Sequence, residues 1–227
     1  MNFKDLFLRI SKSGLILILF FLLACSPKPT FRIIEKPITW NAEREQLSLQ
    51  YLKNRHGLDQ KSATISPRMV VVHWTAIENI EVTFDVFNPP TLGGRADLTN
   101  ASNLNVSSQF LIDRDGTIFR LLPDTTFARH VIGLNYLAIG IENVGGADDP
   151  LTKAQLKANE MLIRYLKKKH PIDYVIGHHE YQKFQSTDLW KEADPDYRTI
   201  KTDPGDQFME KLRKNLADLG LQPLPNQ

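Results

Sequence analysis

Cysteine is almost missing from this chain: Cys25 is the single thiol in 227 residues. That excludes an internal disulfide, a cysteine-rich zinc site and a CxxC redox pair, so any metal must be held by histidine and carboxylates. Excess charge is missing too. The formal net charge is +2, and Lys4, Arg9 and Lys12 against Asp5 account for it at the N-terminus, leaving the remainder close to neutral. No nucleic-acid partner is expected, because binding to phosphate needs a basic surface. Internal repeats, coiled-coil heptads and low-complexity segments are absent as well. What remains is 42% hydrophobic and 24% charged, an ordinary globular composition with room for one domain and a proper core.

The N-terminus reads as an address. Three basic residues precede the apolar residues 15–24 (LILILFFLLA), a run of about ten where a spanning helix needs about 20. An ordinary secretory signal with a coincidental cysteine is one reading. However, Leu22-Leu23-Ala24-Cys25 resembles the lipobox of bacterial lipoproteins, in which the cysteine is acylated and becomes the new N-terminus. The expected organisation is a signal peptide over 1–24, lipidated Cys25 and a proline-spaced tether over 25–40, a catalytic domain over 41–220 and a tail over 221–227. Residues 26–38, extended at roughly 3.3 Å each, would reach on the order of 40 Å. The expected location is the cell envelope, on a membrane and facing the periplasm. Ser26 lacks the aspartate that marks inner-membrane retention in enteric bacteria, so the outer membrane is favoured.

In the folded part, residues 41–57 predict a helix: Asn41 can cap it, Glu43 and Glu45 suit its first turn, and Gly57 ends it. Residues 69–74 (MVVVHW) form a continuous apolar, β-branched run, which predicts a strand buried on both faces. Residues 88–105 read as a long loop over the site. Residues 110–112 and 117–122 flank an Asp-Gly pair, a hairpin signal. Residues 137–144 and 174–178 predict further strands. Thr152 with Gln155 forms a capping box for a helix ending near His170, and residues 206–219 predict a closing helix. Strands alternating with helices, plus one hairpin, imply an α/β single domain with a central mixed β-sheet flanked by helices.

Six histidines are available. His56 and His170 fall in last helical turns, where a cation suits the dipole, and read as structural. His73 and His178 each end a buried apolar strand, where sites form in α/β sheets; a satisfied core histidine is the competing reading for either. Alternation along a strand turns His179 away from whatever His178 faces. Asp203, extended by Pro204 and followed by Gly205, could be a third ligand or could simply open the last helix.

These residues fall in an ordered series of blocks. VVHWTA with His73, SQFLIDRDG over 108–116, AIGIEN with Glu142, VIGHHE with His178 and KTDPG with Lys201 and Asp203 resemble, in that order, the blocks of the N-acetylmuramoyl-L-alanine amidases of the type-2 amidase family. That family is related to the peptidoglycan recognition proteins and to a phage lysozyme that is in fact an amidase. The resemblance runs from about residue 68 to 208. It implies Zn2+ held by His73, His178 and Asp203, with Glu142 moving protons and Lys201 stabilising the oxyanion. Zinc would acidify water and polarise the carbonyl, which amide hydrolysis needs. Read without the blocks, Glu142 is a solvated carboxylate and Lys201 a surface lysine.

The chain departs from the family at Arg129-His130, where a Trp-His pair is usual, and in a longer link over residues 180–200. His130, Trp74 and Arg129 are expected as substrate contacts. The link, with Tyr181, Phe184, Trp190 and Tyr197, is expected to wall the groove, its aromatics either stacking on sugars or pinning the loop. The implied substrate is peptidoglycan or a muropeptide, cut between N-acetylmuramic acid and L-alanine by a monomer. A non-catalytic peptidoglycan-binding protein on the same fold is the rival reading, and another amide substrate stays open.

Overall fold

The computed structural model describes residues 31–93 and 101–226, and Arg32–Gln227 form one compact unit. The expected signal peptide and lipidated Cys25 lie outside the described residues. Six strands form one sheet: β1 (Ile33–Glu35), β2 (Met69–Val72), β3 (Phe110–Ile112), β4 (Ile118–Arg120), β5 (Ala138–Asn143) and β6 (Tyr174–Gly177). Their spatial order is β1-β4-β3-β5-β2-β6, and only β3 with β4 is antiparallel. The mixed sheet inferred from the sequence is what forms.

β2 lies between β5 and β6, and all four of its residues are buried. Two sided burial is why its sequence is uniformly aliphatic. Val70 and Val72 join a core with Leu162, Ile163 and Leu166 of α3 (Lys153–Lys169) and Met209 and Leu212 of α4 (Asp206–Asn215). Met69 and Val71 join a second core with Val131, Leu134, Tyr181 and Phe184. The cover on this second face comes from irregular chain and a 3-10 turn (His178–Phe184) in place of a long helix.

Local chemistry sets the ends of the elements. In α1 (Ala42–His56) the Asn41 side chain accepts from the Arg44 N–H at 2.9 Å, and Gly57 closes the helix in a left-handed conformation at φ 68°. The Thr152–Gln155 capping box of α3 is fully formed. The expected hairpin closes through the Asp113 N–H to Thr117 O bond of 2.9 Å. The closing helix stops at Asn215, and residues Ala217–Leu219 continue as a 3-10 turn.

Two elements are missing from the sequence reading. Within the stretch 25–40 read as tether, Ile33–Glu35 belong to the sheet, pairing in parallel with Ile118, Phe119 and Arg120, and Ile38 is buried. Three residues between prolines carry too little periodicity to signal a strand, and the pairing is supplied by β4. The second is α2 (Ile80–Phe87), whose Ile, Val and Thr content favours strands. Asn79 overrides that preference by accepting from the Glu81 and Val82 N–H groups at 2.8 and 3.2 Å. At the other end, the buried Arg44 guanidinium donates to the carbonyls of Phe87, Asn88 and Pro89.

Candidate metal centre and active site

The C-terminal ends of β2, β5 and β6 deliver three of the expected residues to one pocket. His73 follows β2, with its N–H on Ile141 O at 2.8 Å. His178 follows β6. Asp203 arrives from the loop before α4, where its carbonyl accepts from the His179 N–H at 3.0 Å and from the His179 ring Nδ1–H at 2.9 Å. His179 thus fixes the backbone of Asp203 and does not line the pocket with His178; both residues open the 3-10 turn after β6, so strand alternation, the reason expected from the sequence, is not what separates them.

His73 Nδ1 and His178 Nδ1 are 3.0 Å apart, and Asp203 Oδ2 lies 3.2 and 3.1 Å from them. All three residues are buried. Hydrogen bonding alone fits this triangle poorly. If both nitrogens carried protons toward the carboxylate, two N–H groups would face each other at contact distance. With metal–ligand bonds of ~2.0–2.1 Å, tetrahedral geometry sets ligand separations of about 3.3 Å, close to the edges observed. Two imidazoles and a carboxylate, with the pocket open beside them, are a donor set suited to catalytic zinc. Without a cation, burial and the neighbouring His73 push the His178 pKa down to about 4. Burial works to raise the Asp203 carboxyl, but the two imidazoles of His178 and His73 against it outweigh that and hold the group well below the usual range. Neutral histidine and ionised carboxylate are the forms that bind metal.

Glu142, on β5, lines the same pocket, and its Oε2 has no hydrogen-bond partner. Burial raises its pKa from 4.5 to about 7, with His73 and Lys201 opposing and Asp203 assisting. Lys201 also lines the pocket, two residues before Asp203. The cavity, of about 340 Å3, is further lined by Trp74, Arg129, His130, Tyr51, Tyr197 and Thr199, so the expected site residues that fall among the described residues are all brought together.

Arg129 braces the wall. Its Nη1 donates to the carbonyls of Ser102 and Leu104 at 3.0 and 2.6 Å, and its Nη2 to Tyr197 Oη at 3.2 Å. The link after β6 is pinned rather than splayed over the pocket: Tyr181 and Phe184 are core residues, Trp190 lies against Gly133, and only Tyr197 of the four aromatics lines the cavity. His56 does not act as a helix-end cation. Burial lowers its pKa to about 4, and its neutral ring donates through Nδ1 to Lys191 O. His170 pairs with Asp124 at 2.7 Å.

Sequence reasoning missed Tyr51, which reaches the pocket from α1, and Gly140, which gives room to His130: a Cβ there would stand 2.9 Å from the ring. A glycine inside an apolar strand was the available signal for such a close approach.

Solved structures resemble this chain over most of its length. The N-acetylmuramoyl-L-alanine amidase LysC from Clostridium intestinale URNW is 20% identical, with a TM-score of 0.51 over 84% of this chain and 99% of that one. A selenomethionine derivative of AmpD is 20% identical, with a TM-score of 0.48 over 81% of this chain and 93% of that one. No curated protein sequence matches. The family model described as N-acetylmuramoyl-L-alanine amidase matches residues 63–206, a span that holds β2 to β6, Glu142 and all three members of the buried triangle. The chain belongs to the N-acetylmuramoyl-L-alanine amidase family.

Proposed function

We propose that this protein is a zinc-dependent amidase that hydrolyses the bond between the lactyl group of N-acetylmuramic acid and L-alanine in peptidoglycan or its fragments. The observation that carries the reading is the triangle of His73, His178 and Asp203 beside the buried, unpartnered Oε2 of Glu142 in one cavity. A protein that only bound cell wall would have no use for a desolvated carboxylate, which costs stability.

Zinc held by His73, His178 and Asp203 would supply Lewis acidity toward water and toward the amide carbonyl. The protein's own groups do the rest. Glu142 has a pKa of about 7, so Oε2 can take a proton from the attacking water and return it to the departing alanine nitrogen. Lys201, which lines the cavity, would stabilise negative charge growing on the carbonyl oxygen. Arg129 and Tyr197 hold the wall against which the substrate is oriented. Acylated Cys25 would keep the enzyme on a membrane of the cell envelope, within reach of the wall polymer.

The test is digestion of purified peptidoglycan by the full-length chain in detergent, with products read by mass spectrometry. Free stem peptides beginning in L-alanine, lost on chelation and restored by zinc, are the expected result. Binding without release would make the protein a recognition module, and cleavage elsewhere would keep the metal and change the bond.

A further inference from the structure

A histidine has two ring nitrogens, and it can ligate a metal through one only if that nitrogen carries a lone pair. What the other nitrogen does decides this. For His73 the other nitrogen is not in solvent. His73 is 1% exposed, and its Nε2 lies 3.1 Å from Nδ1 of His130. The far nitrogen of His130, Nε2, lies 3.2 Å from the carbonyl oxygen of Ala138. The two rings meet edge to face, with centroids 5.1 Å apart and planes at 89°.

The chain of contacts has one direction. A carbonyl oxygen can only accept, so His130 Nε2 must carry the hydrogen. In a neutral ring His130 Nδ1 then bears a lone pair and accepts, so His73 Nε2 must be the donor. His73 Nδ1 is thereby left unprotonated, at the corner of the triangle shared with His178 and Asp203. The reverse polarity needs a cationic His130, whose ring has the His73 ring and the Ala138 carbonyl as its hydrogen-bond partners among the described residues, with no carboxylate to offset the charge.

We infer that His130 is a positioning residue: the relay from Ala138 O through His130 fixes His73 as the tautomer whose Nδ1 lone pair faces the metal position. The inference rests on the metal site of the proposed function. His130 itself is held for this task. Its N–H and that of Val131 both donate to Asn135 Oδ1 at 2.8 Å, and its ring lies over Gly140 so closely that an alanine there would displace it. The second side of His73 is fixed independently: the Asn143 side chain donates to His73 O at 3.0 Å and is itself oriented by Asn159 at 2.7 Å.

The first experiment needs neither metal nor mutation. Full-length protein labelled with 15N-histidine, solubilised in detergent and freed of metal by a chelator, is examined at pH 7 by long-range 1H–15N correlation. His73 and His130 should both report protons on Nε2. A proton on Nδ1 of either ring overturns the relay, whatever the protein's activity. Zinc affinity is then measured by competition with a chromophoric chelator for wild type, His130→Phe, His130→Gln and Gly140→Ala. Outer partners of this kind carry roughly 10–100-fold in affinity, so His130→Phe and Gly140→Ala should lose that much. His130→Gln, whose carbonyl oxygen can still accept from His73, should recover most of it. Equal affinity in all four would overturn the inference. Failure of the wild type itself to bind zinc, with both tautomers as stated, would instead remove the metal from the proposed function and leave the relay standing.

Discussion

His73 and His178 are separated by 105 positions in the chain, yet their Nδ1 atoms stand 3.0 Å apart. Neither can move off without tearing a strand from the sheet, because each follows directly on a buried parallel strand pairing with the other's. Replacement of either by alanine, or of Asp203 by asparagine, removes one of three donors. Zinc affinity should fall by more than about 100-fold, beyond what an outer partner costs, while the metal-free fold persists by circular dichroism. Retention of tight binding in any one of the three would show that the metal sits elsewhere.

Glu142 is held at a cost that pH can display. Its pKa rises from 4.5 to about 7 on folding, so the folded state favours the protonated form and stability declines as pH climbs between those values. Glu142→Gln has no such loss. In chelated protein the variant should match wild type below about pH 4.5 and exceed it by up to about 3 kcal/mol above pH 7, measured by urea unfolding. Hydrolysis by the variant should fall by about 10²–10⁴-fold.

Asp124 has the opposite sign. Burial raises its pKa, but hydrogen bonds from His170 and Lys169 outweigh that and bring it down from 3.8 to about 2. Its contribution is complete above pH 3.8 and fades as pH falls through about 2. Asp124→Asn should therefore lose about 1–2 kcal/mol at pH 6, allowing for screening at the partly exposed Lys169, and the difference should shrink in acid. A constant gap between the two proteins from pH 6 to pH 2 would contradict the assignment.

Gly133 has φ 75°, and a Cβ there would stand 2.6 Å from the ring of Trp190. Gly133→Ala should cost about 1–3 kcal/mol in thermal unfolding. Because Trp190 anchors the wall and not the metal triangle, KM for peptidoglycan fragments should rise more than kcat falls. An equal loss in both would tie this wall to the chemical step.

Much of this was legible in the chain. MVVV announced a strand covered on both faces, the Asp-Gly pair a hairpin, and Thr152 with Gln155 the start of α3, because each is a local physical preference that the fold had no reason to override. Strand ends and an aspartate before Pro-Gly made His73, His178 and Asp203 candidates, and the resemblance to the amidase blocks is what implied them as a metal set. β1 and α2 were hidden for the opposite reason: one borrows its hydrogen bonds from β4, and the other depends on the Asn79 side chain against its own composition. The contact between His73 and His130 was equally hidden, since it joins two segments that meet only once the sheet has formed.

Tyr181 Oη accepts from the Thr199 N–H at 2.9 Å and donates to the Thr199 carbonyl at 2.8 Å. That double grip acts as a mechanical stop in the chain. Upstream of it, the segment over residues 187–197 is fastened to α1 through the Arg55–Glu192 ion pair and the Ala193 N–H to Arg55 O bond. Downstream lie Lys201 and Asp203. An insertion or deletion upstream of Thr199 should therefore shift the Tyr197 side of the cavity more than Lys201 and the buried triangle.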